Sequence, residues 1–266
     1  KQHREQAMAS TISGNPSSDQ QAIRETITRL GREKFRPRMS GYDEAASFPF
    51  ENYDDLRQEG LLGLTVPRDY GGLGAAYEDY THHAAELGSW CGATALTFNM
   101  HACTPLWMGS IADTLDLPDE DRRAHDHNRT GIFARIIDDG ALFAQPFSED
   151  GGAAAGKIPF GTVARKVDGG WVLTGRKIFS SLSGAADFYG ILCTEDKPNR
   201  AVTDTLFLAG AADADGLEVT GPWDPVGMRA TVSRTLVLDE VFVRDDMMLL
   251  PRGLYHQAAR RWPHMF

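Results

Sequence analysis

The spacing of apolar residues changes once along this chain, and that change limits the fold more than any other feature. Up to about residue 132 apolar residues recur at helical intervals. Beyond it come short runs rich in Val, Ile, Leu, Thr and Phe: TVARKV, WVLTGRKIF, FYGILCT, DTLFLAG, LEVTG and RTLVLDEVFV. Gly, Asp and Pro separate them, and no helical text lies between them. That excludes alternating strand–helix units and predicts an antiparallel sheet or small barrel. The bridge VDGGW is a hairpin signal. The last stretch, GLYHQAARRWPHMF, turns helical again. The expected class is therefore α+β: an all-α part over 20–139, an antiparallel β-barrel-like part over 140–250, and a renewed helix over 251–266. Residues 1–19, polar and rich in small side chains, read as a disordered or added arm.

Within the helical part, SSDQQAIRETITRLGREKF has Ser17 or Ser18 as a cap, and Ile23, Ile27 and Leu30 at helical spacing. Pro37 is expected to end this helix. FENYDDLRQEG reads as a short helix closed by Gly60. Tyr77 to Ile111 reads as two helices broken near Gly88–Gly92, and a third, short helix is expected near Pro118.

Composition removes several classes of function. A formal net charge of −10 argues against nucleic acid or anionic membrane as partner. No apolar run nears the roughly 20 residues of a membrane span. Cys91, Cys103 and Cys193 form no CxxC pair, which points to a reducing, cytoplasmic setting. There is no P-loop and no GxSxG elbow. GGLGAAYEDY lacks a preceding strand and reads as a tight turn into a helix. His82 and His83 diverge by about 100° on a helix and cannot easily share an ion. His125 and His127 flank Asp126 in charged text that reads as a solvated face. No metal site is expected.

Two stretches can carry chemistry. FAQPFSEDGGAAAG places a hydroxyl, Ser148, and two carboxylates, Glu149 and Asp150, before a run of small residues. The carboxylates could hold a metal or move protons, or the small residues could admit backbone to a ligand. GRKIFSSLSG ends a strand with an aromatic, Phe179, and two hydroxyls, Ser180 and Ser181. On a regular strand Phe179 and Ser181 share a face. An aromatic with a nearby donor suits a flat heterocycle, or an ordinary half-buried strand. His101, on the apolar helix ALTFNMHACTPLWM, is either a satisfied core histidine or a pocket wall.

Order and wording together resemble the acyl-CoA dehydrogenases, from about residue 20 to the end. The resemblance rests on FPFENYDDLRQEGLLGLTVPRDYGGLG, AAELGSWCGATALTFNMH, FSEDGGAAAG, GGWVLTGRKIFSSLSGAADFYGIL and PWDPVGMRATVSRTLVLDEVFV, in family order. It implies a helical domain, a β-barrel-like middle domain and a C-terminal helical bundle, of which 251–266 would be the first helix. It implies FAD as cofactor, an acyl-CoA thioester as substrate, an electron-transferring flavoprotein as acceptor, and a homodimer or homotetramer in the full-length form. Flavin contacts would come from Phe147, Ser148, Gly152, Ala153, Phe179, Ser180 and Ser181. Phe179 takes the place of the tryptophan over the ring, Ser148 and Ser181 those of two threonines. His101 and Arg229 would lie at the substrate pocket. The family's glutamate base would lie beyond Phe266, and Glu149 corresponds to a structural loop glutamate.

Asp150 and the AAAG run depart from the family's Pro and Gly-Ser-Asp, and that loop often meets CoA. The expected reaction is α,β-dehydrogenation to the 2-enoyl-CoA. The alternatives are a flavin-dependent monooxygenase or oxidase on the same scaffold, or a non-catalytic partner subunit.

Overall fold

Ile23, Ile27 and Leu30 are the side chains that helix α1 (Ser18–Leu30) buries, so the apolar stripe of the sequence is also its packing face. The computed structural model describes residues 18–150 and 158–262; of the arm expected over 1–19, residues 1–17 lie outside the described residues, as does the loop over 151–157, and Ser18 and Asp19 already belong to α1. Pro37 does not end the first helix. A wide π turn over Gly31–Phe35 leads directly into α2 (Arg36–Ala45), with Pro37 in its first turn. The changed hydrogen-bond register makes room for a ring that would clash in a regular helix interior. Helix α3 (Phe50–Gln58) is followed by left-handed Gly60 at φ 68°. Asp55 on α3 pairs with Lys34 at 2.5 Å and Arg38 at 2.7 Å, tying α2 to α3.

Helices α4 (Tyr77–Trp90) and α5 (Gly92–Leu106) are split by an extended Cys91. Helix α6 (Asp119–Ile137) has 19 residues rather than a few turns. Its charged text hides a sparse buried row of His125, Ile132, Phe133 and Ile136, and Pro118 precedes it as the cap.

The GGLG stretch folds back on the chain before it. Gly74 N–H donates to the Val66 carbonyl and Ala75 N–H to the Leu64 carbonyl, both at 2.9 Å. Gly71 and Gly74 take φ of 85° and 69°, and a Cβ on Gly72 would stand 2.1 Å from the Val66 carbonyl oxygen. Gly72→Ala should therefore destabilise the fold by about 1–3 kcal/mol. A denaturation midpoint unchanged by the substitution would contradict this.

Eight strands form one mixed sheet in the order β6-β7-β3-β2-β4-β5-β8, with β1 beside β4. They are β1 (Phe143–Ala144), β2 (Val163–Val167), β3 (Gly170–Ser180), β4 (Phe188–Glu195), β5 (Thr205–Ala211), β6 (Leu217–Thr220), β7 (Arg234–Arg244) and β8 (Met248–Leu250). VDGGW is the expected hairpin, with Val167 opposite Gly170. The sheet is neither purely antiparallel nor a closed barrel. β1 and β2 both run parallel to β4, and the order ends at β6 and β8 among the described residues. β1 pairs with the start of β4 at Phe188 and Tyr189, and β2 with its end at Thr194 and Glu195. Helix α7 (Leu254–Arg261) buries Leu254, Tyr255 and Ala258. No helix among the described residues is long and apolar enough to cross a membrane.

Candidate active site

Ser148 meets β3 through a single antiparallel bridge to Ile178, where the Ile178 N–H donates to the Ser148 carbonyl at 2.9 Å. This bridge brings the hydroxyl of the loop beside the strand that carries Phe179. The two stretches singled out in the sequence, 30 residues apart, thus become neighbours. Ser148 is half-buried, and its hydroxyl makes no hydrogen bond among the described residues.

A buried ion pair holds the loop's neck. Lys177 Nζ lies 2.6 Å from Glu149 Oε1, and the same carboxylate accepts the backbone N–H of Gly161 at 2.6 Å and of Thr162 at 3.0 Å. Lys177 also donates to the Leu192 carbonyl on β4 at 2.5 Å and sits 4.4 Å from the centre of the Phe160 ring. One carboxylate therefore closes the loop at both ends. Burial raises the Glu149 carboxyl, but the Lys177 charge and the donors outweigh it and hold it below its usual range. Burial pulls Lys177 down against the opposing pull of Glu149. Sequence reasoning missed Lys177; a lysine at the third position of the apolar-flanked run GRKIF was the available signal. Asp150, by contrast, is exposed and pairs with Arg176 at 3.0 Å.

The Phe147 ring turns away from any ligand face into an aromatic cluster. It lies 5.7 Å from Phe207, 6.1 Å from Tyr255 and 6.4 Å from Trp107, and Trp107 stacks on Tyr255 at 5.0 Å. Only its backbone remains for the role expected of it. Gly152 and Ala153 lie outside the described residues.

Phe179 and Ser181 do not share a face, contrary to the period-two expectation. The β3–β7 register shifts between Lys177 and Ser180, and Phe179 takes a left-handed φ of 54°. The ring is left 59% exposed while Ser180 and Ser181 are buried. Ser181 Oγ lies 2.8 Å from Ser233 Oγ, which lies 2.7 Å from Thr231 Oγ1, which donates to the Met228 carbonyl at 2.9 Å. Each hydroxyl has one hydrogen, so this chain directs the Ser181 hydrogen inward to Ser233. Ser181 is left as an acceptor, not the side-chain donor the resemblance implies. Ser180 Oγ is buried with no partner among the described residues.

The two expected pocket residues are structural in their contacts. His101 is fully buried. Its Nε2 donates to the Leu62 carbonyl at 2.9 Å and its Nδ1 accepts the Phe143 N–H at 3.2 Å, so the ring ties the helical part to β1. Burial lowers its pKa to about 4, which keeps the ring neutral. Arg229 donates from its backbone N–H to Asp43 Oδ1 at 3.0 Å and from Nε to the Asp43 carbonyl at 2.9 Å, and pairs with Asp224. It flanks a cavity of about 390 Å³ lined by Met39, Asp43, Gly92 and Met228 among others. His125, read as solvated, is buried against the Met108 carbonyl at 2.8 Å, and His83 against Gln20 at 2.6 Å. Among the described residues no cluster of three or more His, Cys, Asp or Glu is placed to hold a metal.

Comparison with known proteins agrees with this architecture. Residues 17–112 match the family described as "Acyl-CoA dehydrogenase, N-terminal domain", and residues 147–241 match "Acyl-CoA dehydrogenase, middle domain". A Bacillus subtilis (strain 168) protein, provisionally named acyl-CoA dehydrogenase YdbM, is 30% identical over 245 residues, covering 89% of this chain and 59% of that protein. Amino sugar nitrososynthase DnmZ of Streptomyces peucetius is 31% identical over 219 residues, 79% of this chain and 49% of its own. The structure of butyryl-CoA dehydrogenase from Megasphaera elsdenii superposes with a TM-score of 0.76 at 21% identity, covering 94% of this chain and 63% of that one, a likeness of fold. The chain spans less than two thirds of the length of the curated relatives it matches. With helices followed by the sheet, the loop-to-strand bridge at Ser148 and both domain matches in order, the chain belongs to the acyl-CoA dehydrogenase family.

Proposed function

We propose that this chain is the flavin-holding part of an FAD-dependent acyl-CoA dehydrogenase that converts an acyl-CoA thioester to its 2-enoyl form. The observation that carries the reading is the Ser148–Ile178 bridge, which sets an unpaired hydroxyl beside the strand that carries the exposed Phe179 ring. The residues fit a flavin: Ser148 Oγ has a hydrogen to donate, Phe179 offers an aromatic face, and Ser180 Oγ is buried without a partner. A bound FAD would supply the two-electron acceptor for the hydride leaving the β-carbon. Backbone at Phe147 and the hydroxyl of Ser148 would orient the ring, and Phe179 would exclude water from one side. Glu149 is not the base that takes the α-proton. Both its oxygens are engaged by Lys177, Gly161 and Thr162, and its lowered pKa makes it a poor proton acceptor. The reading leaves the base to a group other than the described carboxylates of this loop, and assigns reoxidation to an electron-transferring flavoprotein.

A second reading, a flavin-dependent monooxygenase or related N-oxidising enzyme, is favoured by one observation. A nitrososynthase matches this chain at 31% identity over 219 residues, beside 30% over 245 residues for the provisionally named dehydrogenase. Adding an acyl-CoA anaerobically to the yellow full-length protein distinguishes the two. Bleaching of the flavin by acyl-CoA alone supports dehydrogenation. Flavin that is reduced only through a separate reductase, with oxygen consumed afterwards, sinks it in favour of the second reading. Protein that never takes up flavin supports the role of a non-catalytic partner.

A further inference from the structure

Phe179 is held out of the core in a backbone conformation that disfavours any residue with a Cβ, at φ 54°. Strain of this kind persists where the surroundings over-determine it, and it concentrates at functional positions. Here the neighbour is Trp223, in the irregular segment after β6. The two ring centres are 6.2 Å apart and their planes stand at 86°. Trp223 Nε1 is buried and has no acceptor among the described residues, a state that native folds seldom leave unused. The same segment leaves Val226 and Met228 exposed.

This segment is anchored. Asp224, next to Trp223, pairs with Arg229, and Arg229 is bonded twice to Asp43 at the end of α2. The Arg229 contacts therefore hold Trp223 against Phe179, which gives a physical role to a residue expected only to line a pocket. Two aromatic planes at right angles form a corner. A flat heterocycle can stack, offset, on one wall and meet the other edge to face, the arrangements aromatic rings prefer. The indole N–H is covered as the chain stands; a small turn of the ring would offer it to a carbonyl or nitrogen of such a heterocycle.

We propose that Trp223 is a second wall and hydrogen-bond donor of the flavin site, set perpendicular to Phe179 and positioned by Asp224 and Arg229. It supplies the aromatic area and the N–H that phenylalanine at position 179 lacks. The proposal rests on the flavin reading above.

The test titrates the full-length protein with FAD and with FMN, following flavin fluorescence and the visible absorption band. Trp223→Phe keeps a ring and removes the N–H; it should raise Kd about threefold to tenfold and shift the band, with the melting temperature near wild type. Trp223→Ala, which also removes the wall, should weaken binding further. A Trp223→Phe protein that binds with wild-type Kd and an unshifted band overturns the proposal and leaves the flavin reading standing. That variant decides the matter even if Trp223→Ala does not fold. Wild-type protein that binds neither flavin removes both.

Discussion

Lys177→Met should destabilise the fold by about 3–5 kcal/mol, because it leaves the Glu149 carboxylate buried and unpaired. The Lys177 side chain is fully buried and that of Glu149 is 6% exposed, so water cannot replace the lost partner. Glu149→Gln should cost a comparable amount, since it leaves the buried Lys177 ammonium without a counter-charge and turns the amide NH2 toward the N–H of Gly161 or Thr162, which use different carboxylate oxygens. The double variant Lys177→Met with Glu149→Gln should be more stable than Lys177→Met alone. Desolvating two charges is itself expensive, and removing both removes that cost. Equilibrium unfolding in urea measures all three. A Lys177→Met protein within 1 kcal/mol of wild type would mean that the carboxylate finds water or another cation, and would remove the clasp on the loop neck. The pH sign follows from Glu149. Its folded pKa is depressed, so its contribution is present above the unfolded value and is lost as pH falls through the lower, folded one.

Acid should weaken the fold before it protonates that carboxylate, through His101. The ring takes up a proton near pH 6.5 in the unfolded chain and only near pH 4 in the fold. The depressed folded value means full stability above pH 6.5 and a loss as pH falls toward 4, on the order of 3 kcal/mol over the window. Burial is the main cause, and hydrogen bonding acts in the same direction: Nδ1 accepts the Phe143 N–H, which a protonated ring cannot do. His83 and His125 are also depressed by burial and add to the same loss. Urea midpoints at pH 7.5, 6 and 5 should decline in order for wild type. His101→Asn, which can still donate one hydrogen bond and accept another, should flatten the decline while lowering the pH 7.5 value. A wild-type midpoint constant from pH 7.5 to 5 would contradict the assignment.

Periodicity was enough to place α1, α3, the α4–α5 break and all six of the longer strands, since each depends on side chains of its own segment. α6 was underestimated because its buried row is diluted by charge, and β1 and β8 escaped notice because two or three residues carry no period. The parallel pairs beside β4 depend on where distant segments dock, which no local pattern encodes. At the site, Ser148 and Phe179 stood out by residue type and position in a motif. Lys177 did not, because a lysine in a strand is ordinarily exposed, and only the long-range partner Glu149 makes its burial tolerable. Ser181 was misplaced by one rule, strand alternation, that a bulge at Phe179 suspends.

The sequence by itself determined the class of fold, the order of its parts and the family. Those follow from local spacing and residue type. The tertiary structure alone decided which polar side chains are spent inside the protein and which remain available. His101, Arg229 and Ser181 are committed to backbone, carboxylate and hydroxyl partners far away in sequence, whereas Ser148, Ser180 and Trp223 keep polar atoms without partners among the described residues. The physical reason is that each hydrogen-bonding atom has a fixed capacity, and only the packed fold brings together the groups that compete for it.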